Sequence, residues 1–173
     1  MTTIEADTSG AIVLVGASGS GTTTVGRLLA VALGREHLDV DMVIAERAGK
    51  PVSEIFIGDG EAAFRALEES TTIELLDRVA VLSLGSGAVL SPAIRAALKG
   101  RQVFWLQVSA GAAAERVGLT AARPVGFGNV RGRLIQLLNQ RAPLYAEVAS
   151  VSIATDGLTA EEVAALVVER LRR

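Results

Sequence analysis

The sequence predicts an α/β fold, a mainly parallel sheet of the three-layer kind with helices on both faces. Three observations carry that prediction. Short runs of Val, Ile and Leu alternate with segments of helical spacing along the whole chain, the order that builds a doubly covered sheet. Half of the 173 residues are apolar, while four Phe, one Trp and one Tyr supply all the aromatic rings. The first apolar run also passes directly into a glycine-rich turn and then a helix, the local context that binds phosphate.

Each element has its own signal. Residues 1–10 are polar with two acids and read as a flexible N-terminus with no signal-peptide pattern. Residues 11–15 form the first strand, and a helix from about Thr22 ends at Gly34, a plausible C-cap. Residues 37–41 read as a short strand ending in two acids, Asp39 and Asp41, which a two-residue repeat turns the same way. Capping of a helix at Met42 by Asp41 is the alternative use of that carboxylate. Helical segments follow at 42–48 and 52–57, stopped by Gly49-Lys50-Pro51 and Gly58-Asp59-Gly60. Residues 61–76 form an amphipathic helix with Phe64, Leu67, Thr71 and Leu75 on one side.

A strand at 79–84 runs into a second glycine turn, Gly85-Ser86-Gly87, and Ser91-Pro92 starts a helix that ends near Gly100. A strand at 102–108 and a helix at 109–117 come next. Residues 118–133 are glycine-rich with few apolar anchors and read as a mobile loop. Helical spacing resumes at 134–139, a last strand spans 151–154, and Thr159 with Glu162 forms a capping box for the final helix. Residues 11–173 are expected to form one domain.

Net charge of −2 argues against broad attraction to nucleic acid or anionic membrane. With no cysteine there is no disulfide, thiolate metal site or thiol nucleophile. No apolar run approaches the roughly 18 residues that span a bilayer. A cytoplasmic protein is expected.

Ligands of such a sheet bind beyond the carboxyl ends of the strands. That rim collects the loop 16–23, the acids Asp39 and Asp41, the turn 85–87 and the loop containing Arg123. Residues 16–23 match the pattern Gly, four residues, Gly, Lys, Ser or Thr at every position except the Lys, which is Thr22. Backbone N–H groups at a helix N-terminus keep much of a phosphate loop's anion affinity without that side chain. Thr23 holds the position whose hydroxyl binds Mg²⁺, and two carboxylates can divide the labour between Mg²⁺ and an acceptor hydroxyl. The lone His37 suits packing at a strand edge better than catalysis.

Together these pieces resemble the shikimate kinase family. The resemblance covers nearly the whole chain after residue 10. It rests on Leu38-Asp39-Val40-Asp41, the run from Asp59-Gly60-Glu61 to Phe64-Arg65, Ser83 to Val89, Arg123-Pro124, and Arg141-Ala142-Pro143-Leu144-Tyr145. It implies a P-loop kinase fold with a five-stranded parallel sheet in order 2-3-1-4-5, a shikimate-binding region at about 41–70 and a lid at about 118–133. By the resemblance, Asp41 would bind the ring hydroxyls of shikimate and help activate the 3-hydroxyl. Arg65 and Arg141 would clamp its carboxylate, with the backbone of Gly85 and Gly87 close to the ring. Gly16, Gly19, Ser20, Gly21, Thr22, Thr23 and Thr24 would hold ATP phosphates, and Thr23 and Asp39 would serve Mg²⁺. Arg123 would reach the transferring phosphate, and Arg116 would stack on adenine. The family is commonly monomeric.

The departures fall on the nucleotide side. Thr22 replaces the loop Lys, Ser86 replaces the middle glycine of the family's Gly-Gly-Gly turn, and Thr155-Asp156-Gly157-Leu158 lacks the basic residue expected beside adenine. Val125-Gly126-Phe127-Gly128 also alters the lid. Two function classes therefore remain open: a shikimate kinase with impaired ATP use, and a shikimate-binding regulatory protein with little or no phosphotransfer. A related kinase with another small acceptor is a third.

Overall fold

The computed structural model describes residues 10–118 and 130–173. Five parallel strands form one sheet in the order β2-β3-β1-β4-β5, as the family resemblance implies. They are β1 (Ile12–Val15), β2 (Glu36–Asp39), β3 (Ala80–Ser83), β4 (Gln102–Gln107) and β5 (Val151–Ala154). Val13 of β1 pairs with Leu82 on one side and Val103 on the other. The helices are α1 (Thr22–Leu33), α2 (Val40–Ala48), α3 (Val52–Gly58), α4 (Glu61–Leu75), α5 (Pro92–Leu98), α6 (Ala110–Arg116), α7 (Val130–Val148) and α8 (Ala160–Leu171).

Strand alternation divides the core between the two faces. Ile12 and Leu14 meet Val25 and Leu29 of α1 and Val163 and Val167 of α8. Val13 and Val15 face the other way, toward Val40, Ile55, Phe64, Ile94 and Tyr145. All four residues of β1 are buried, which is why that strand reads as a continuous apolar run.

Three boundaries and one helix face differ from the sequence reading. β2 stops at Asp39, because the Asp39 side chain accepts from the N–H groups of Asp41 and Met42 and caps α2. On α4 the buried positions are Phe64, Glu68, Thr71, Thr72 and Leu75, while Leu67 is half-exposed; a carboxylate in the apolar stripe hid the true face. The third correction is that residues 130–133, assigned to the loop, already belong to α7. That helix then continues through Pro143 to Val148, since tertiary packing of Tyr145 and Val148 outweighs the hydrogen bond that proline removes. The Thr159 capping box and the Ser91 cap with Pro92 in the first turn are both present. Among the described residues no helix is long and apolar enough to cross a membrane.

Candidate active site

The phosphate loop closes between β1 and α1. Gly19 and Gly21 take φ of 84° and 91°, a region glycine enters without steric cost. Ser20 N donates to Ala17 O at 3.0 Å and tightens the turn. A Cβ on Gly16 would stand 2.8 Å from the Leu106 carbonyl, so this glycine lets the loop lie against β4. Gly16, Gly19, Ser20, Gly21, Thr22, Thr23 and Thr24 all line a cavity of about 560 Å³, together with Asp39, Asp41, Gly85, Ser86 and Arg116.

Thr23 Oγ1 donates to Asp39 Oδ2 at 2.6 Å, while Asp39 Oδ1 accepts from Asp41 N at 3.1 Å. One carboxylate therefore caps α2 and faces the phosphate loop. Asp39 and Asp41 do not share a strand face, contrary to the expectation from strand alternation, because β2 ends at Asp39 and Asp41 lies in α2. They reach the same cavity because the chain turns from strand to helix between them. The hydroxyl and carboxylate oxygens of Thr23 and Asp39 are hard donors that suit Mg²⁺, a cation that keeps waters and takes few protein ligands. Among the described residues no group of three or more His, Cys, Asp or Glu could hold a metal, so waters and phosphate oxygens would complete the set.

The second half of the site surrounds the turn after β3. A Cβ on Gly85 would lie 2.8 Å from Glu68 Oε1 and 2.9 Å from Asp41 Oδ1, and one on Gly87 would overlap the Arg65 guanidinium. Arg141 Nη1 donates to Ser86 Oγ at 3.1 Å, and the Tyr145 hydroxyl donates to Ser86 O at 2.6 Å. Asp41, Arg65 and Arg141 thus converge on three successive residues. Arg65 Nη1 also donates to Glu68 Oε2 at 2.6 Å, and its guanidinium lies over the Phe56 and Phe64 rings.

Burial pushes the Asp41 carboxyl up, and Asp39 adds to the shift while Arg65 opposes it. Burial likewise raises Glu68 against the pull of Arg65. The Tyr145 hydroxyl is pushed up to about 12 by burial. Asp41 Oδ1 and Glu68 Oε1 are buried without a hydrogen-bond partner among the described residues, and such groups are costly unless a ligand satisfies them.

Arg116 Nη1 donates to Gly19 O and Thr155 Oγ1, and Nη2 to Thr155 O. It stands at the far end of the cavity beside Val117 and Leu158. Asp156 accepts from Ser109 N at 3.0 Å at the start of α6. His37 is half-buried on β2, its Nε2 2.9 Å from Ser83 Oγ, which donates to Thr22 O at 2.8 Å. Lys50 pairs with Asp59 at 2.6 Å, away from the loop. Arg123 lies outside the described residues.

Sequence reasoning missed Glu68 and Tyr145. Glu68 is 1% exposed, and its signal was the spacing Phe64, Glu68, Thr71, Leu75, a helical repeat interrupted by one acid. Tyr145 stands one turn after Arg141, on the same face of a helix that Pro143 concealed.

The family model described as Shikimate kinase matches residues 18–172. The shikimate kinase of Thermobifida fusca is 48% identical over 92% of this chain and 93% of its own length. That of Salinispora arenicola is 52% identical over 88% of this chain and 92% of its own. Among solved structures, shikimate kinase from Acinetobacter baumannii in complex with shikimate aligns with a TM-score of 0.85 at 38% identity, covering 94% of this chain and 92% of that one.

Proposed function

The chain belongs to the shikimate kinase family, and on that premise we propose that it phosphorylates the 3-hydroxyl of shikimate with ATP, at a rate limited by the absence of a loop lysine. The observation that carries this reading is the meeting of the phosphate loop with Asp41, Arg65 and Arg141 around residues 85–87. Loop N–H groups hold the phosphates, while Arg65 and Arg141 take the acceptor carboxylate with planar guanidinium forks. Asp41 orients the acceptor hydroxyl and receives its proton as the oxygen–phosphorus bond forms and the bond to the departing ADP oxygen breaks. Thr23 and Asp39 would hold Mg²⁺, which supplies charge neutralisation on the phosphates. Arg116 flanks the base, and the family resemblance implies a phosphoryl contact for Arg123, which lies outside the described residues. Within this proposal the protein acts as a cytoplasmic monomer with no nucleic-acid or membrane partner.

Losing one preorganised charge stabiliser slows such a step roughly 10²–10³-fold. A coupled assay of ADP release at high enzyme concentration tests the reading. The expected result is slow, shikimate-dependent turnover that rises about 10²-fold in Thr22→Lys. Silence in both proteins favours the second reading, a shikimate-binding regulatory protein, which Thr22 itself motivates. Calorimetry would then register shikimate binding without Mg-ATP binding.

A further inference from the structure

Ser86 is held from three sides. Arg141 donates to its hydroxyl, Tyr145 donates to its carbonyl, and Ser18 Oγ on the phosphate loop lies 3.4 Å from its Oγ. Tyr145 is buried and stacks on Trp105 with ring centroids 5.7 Å apart, so this grip comes from a packed helix face. No described non-glycine residue has positive φ, hence the hydroxymethyl group sits there without backbone strain. Its hydroxyl bridges a guanidinium and the loop, and it lines the same cavity as Thr22.

One described guanidinium, Arg116, lines the phosphate-loop cavity, and a second, Arg141, is linked to the loop through Ser86. Arg116 spends its donors on Gly19 and Thr155 at the end remote from Asp41. Arg141 approaches by way of Ser86 on the side of Asp41, where acceptor and phosphoryl group must meet. The geometry points to Arg141, held by Ser86, as the cation that serves the terminal phosphoryl group in place of the loop lysine. Thr22 and Ser86 are then a partly compensating pair, in which Arg141 restores Mg-ATP binding but not the rate that Thr22→Lys recovers, and Ser86 is a positioning residue that acts through Arg141. A guanidinium has five N–H donors in a planar fork, so one edge serves a phosphoryl oxygen while the other keeps a carboxylate.

This inference rests on the proposed use of Mg-ATP, and an equilibrium measurement separates the two. Mg-ATP and shikimate are each titrated calorimetrically into wild type, Ser86→Ala, Thr22→Lys and the double variant. Ser86→Ala weakens Mg-ATP binding about tenfold, the scale of one charge-assisted contact. In the Thr22→Lys background the same change costs less than about twofold, because coupled sites are not additive. Shikimate affinity also falls in Ser86→Ala, because Arg141 keeps the acceptor carboxylate, but by the same factor whether residue 22 is Thr or Lys, and Ser86→Gly repeats the Mg-ATP result without a Cβ. Equal Mg-ATP losses in both backgrounds, no Mg-ATP loss in either, a loss confined to shikimate, or wild type that does not bind Mg-ATP overturns the inference. Wild type that behaves as expected in titration yet never turns over leaves the inference standing and removes the kinase reading.

Discussion

Asp41 keeps one carboxylate oxygen buried and unpartnered among the described residues, and burial raises its pKa. The folded state therefore holds that proton more tightly than the unfolded chain does. The associated stability is complete below the ordinary carboxylate range and is lost as pH rises through the raised value. At neutral pH the ionised group is a net cost, tolerated because the proposed proton acceptor needs it. Asp41→Asn is expected to raise the melting temperature at pH 7 and to lose that advantage near pH 4, while phosphotransfer falls at least about 10²-fold. Thermal melts at the two pH values, with a turnover assay, check both parts. The acid limb of the wild-type rate profile should correspondingly lie above the usual Asp range of about 3.9. Asp41 was legible as a polar signal at a strand end and Arg65 and Arg141 only through the family resemblance, whereas Glu68 was not, because a buried acid among apolar residues looks like an interruption of the pattern.

At the scale of elements, α1 lies close to the sheet at Gly26. A Cβ there would stand 2.5 Å from Ser83 Oγ and 2.6 Å from His37 Nε2. Gly26→Ala must push α1 outward or break the link from His37 through Ser83 to the Thr22 carbonyl. The expected cost is about 1–3 kcal/mol in urea unfolding, with a raised KM for ATP because the phosphate loop opens α1. Unchanged stability and KM would show that the contact relaxes freely. The capping box of α8 offers a contrast, since Thr159 and Glu162 exchange hydrogen bonds far from Asp41. Thr159→Ala should cost about 1 kcal/mol and leave kcat unchanged. Such caps are local chemistry, so they were readable in advance. The course of α7 was not, because Pro143 carries a local penalty that packing of Tyr145 repays.

Across the whole molecule, the site brings together residues separated by most of the chain, and a ligand that satisfies Asp41, Arg65 and Arg141 at once should bind the folded state alone. Shikimate at a hundredfold excess over its Kd is then expected to raise the melting temperature by about 5–10 °C, the equivalent of about 2.7 kcal/mol in a chain of this length. A thermal-shift titration that leaves the midpoint unmoved would remove shikimate from the site. The parallel α/β class and the phosphate loop followed from the sequence alone, because they depend on alternation of apolar runs and on glycine turns that act over a few residues, whereas strand number and order came only with the family resemblance. Only the tertiary structure decided that Asp39 caps a helix, that Glu68 sits beside Asp41, and that Ser86 joins Arg141 to the loop. Those facts depend on distances between segments far apart in the chain, which no local pattern encodes.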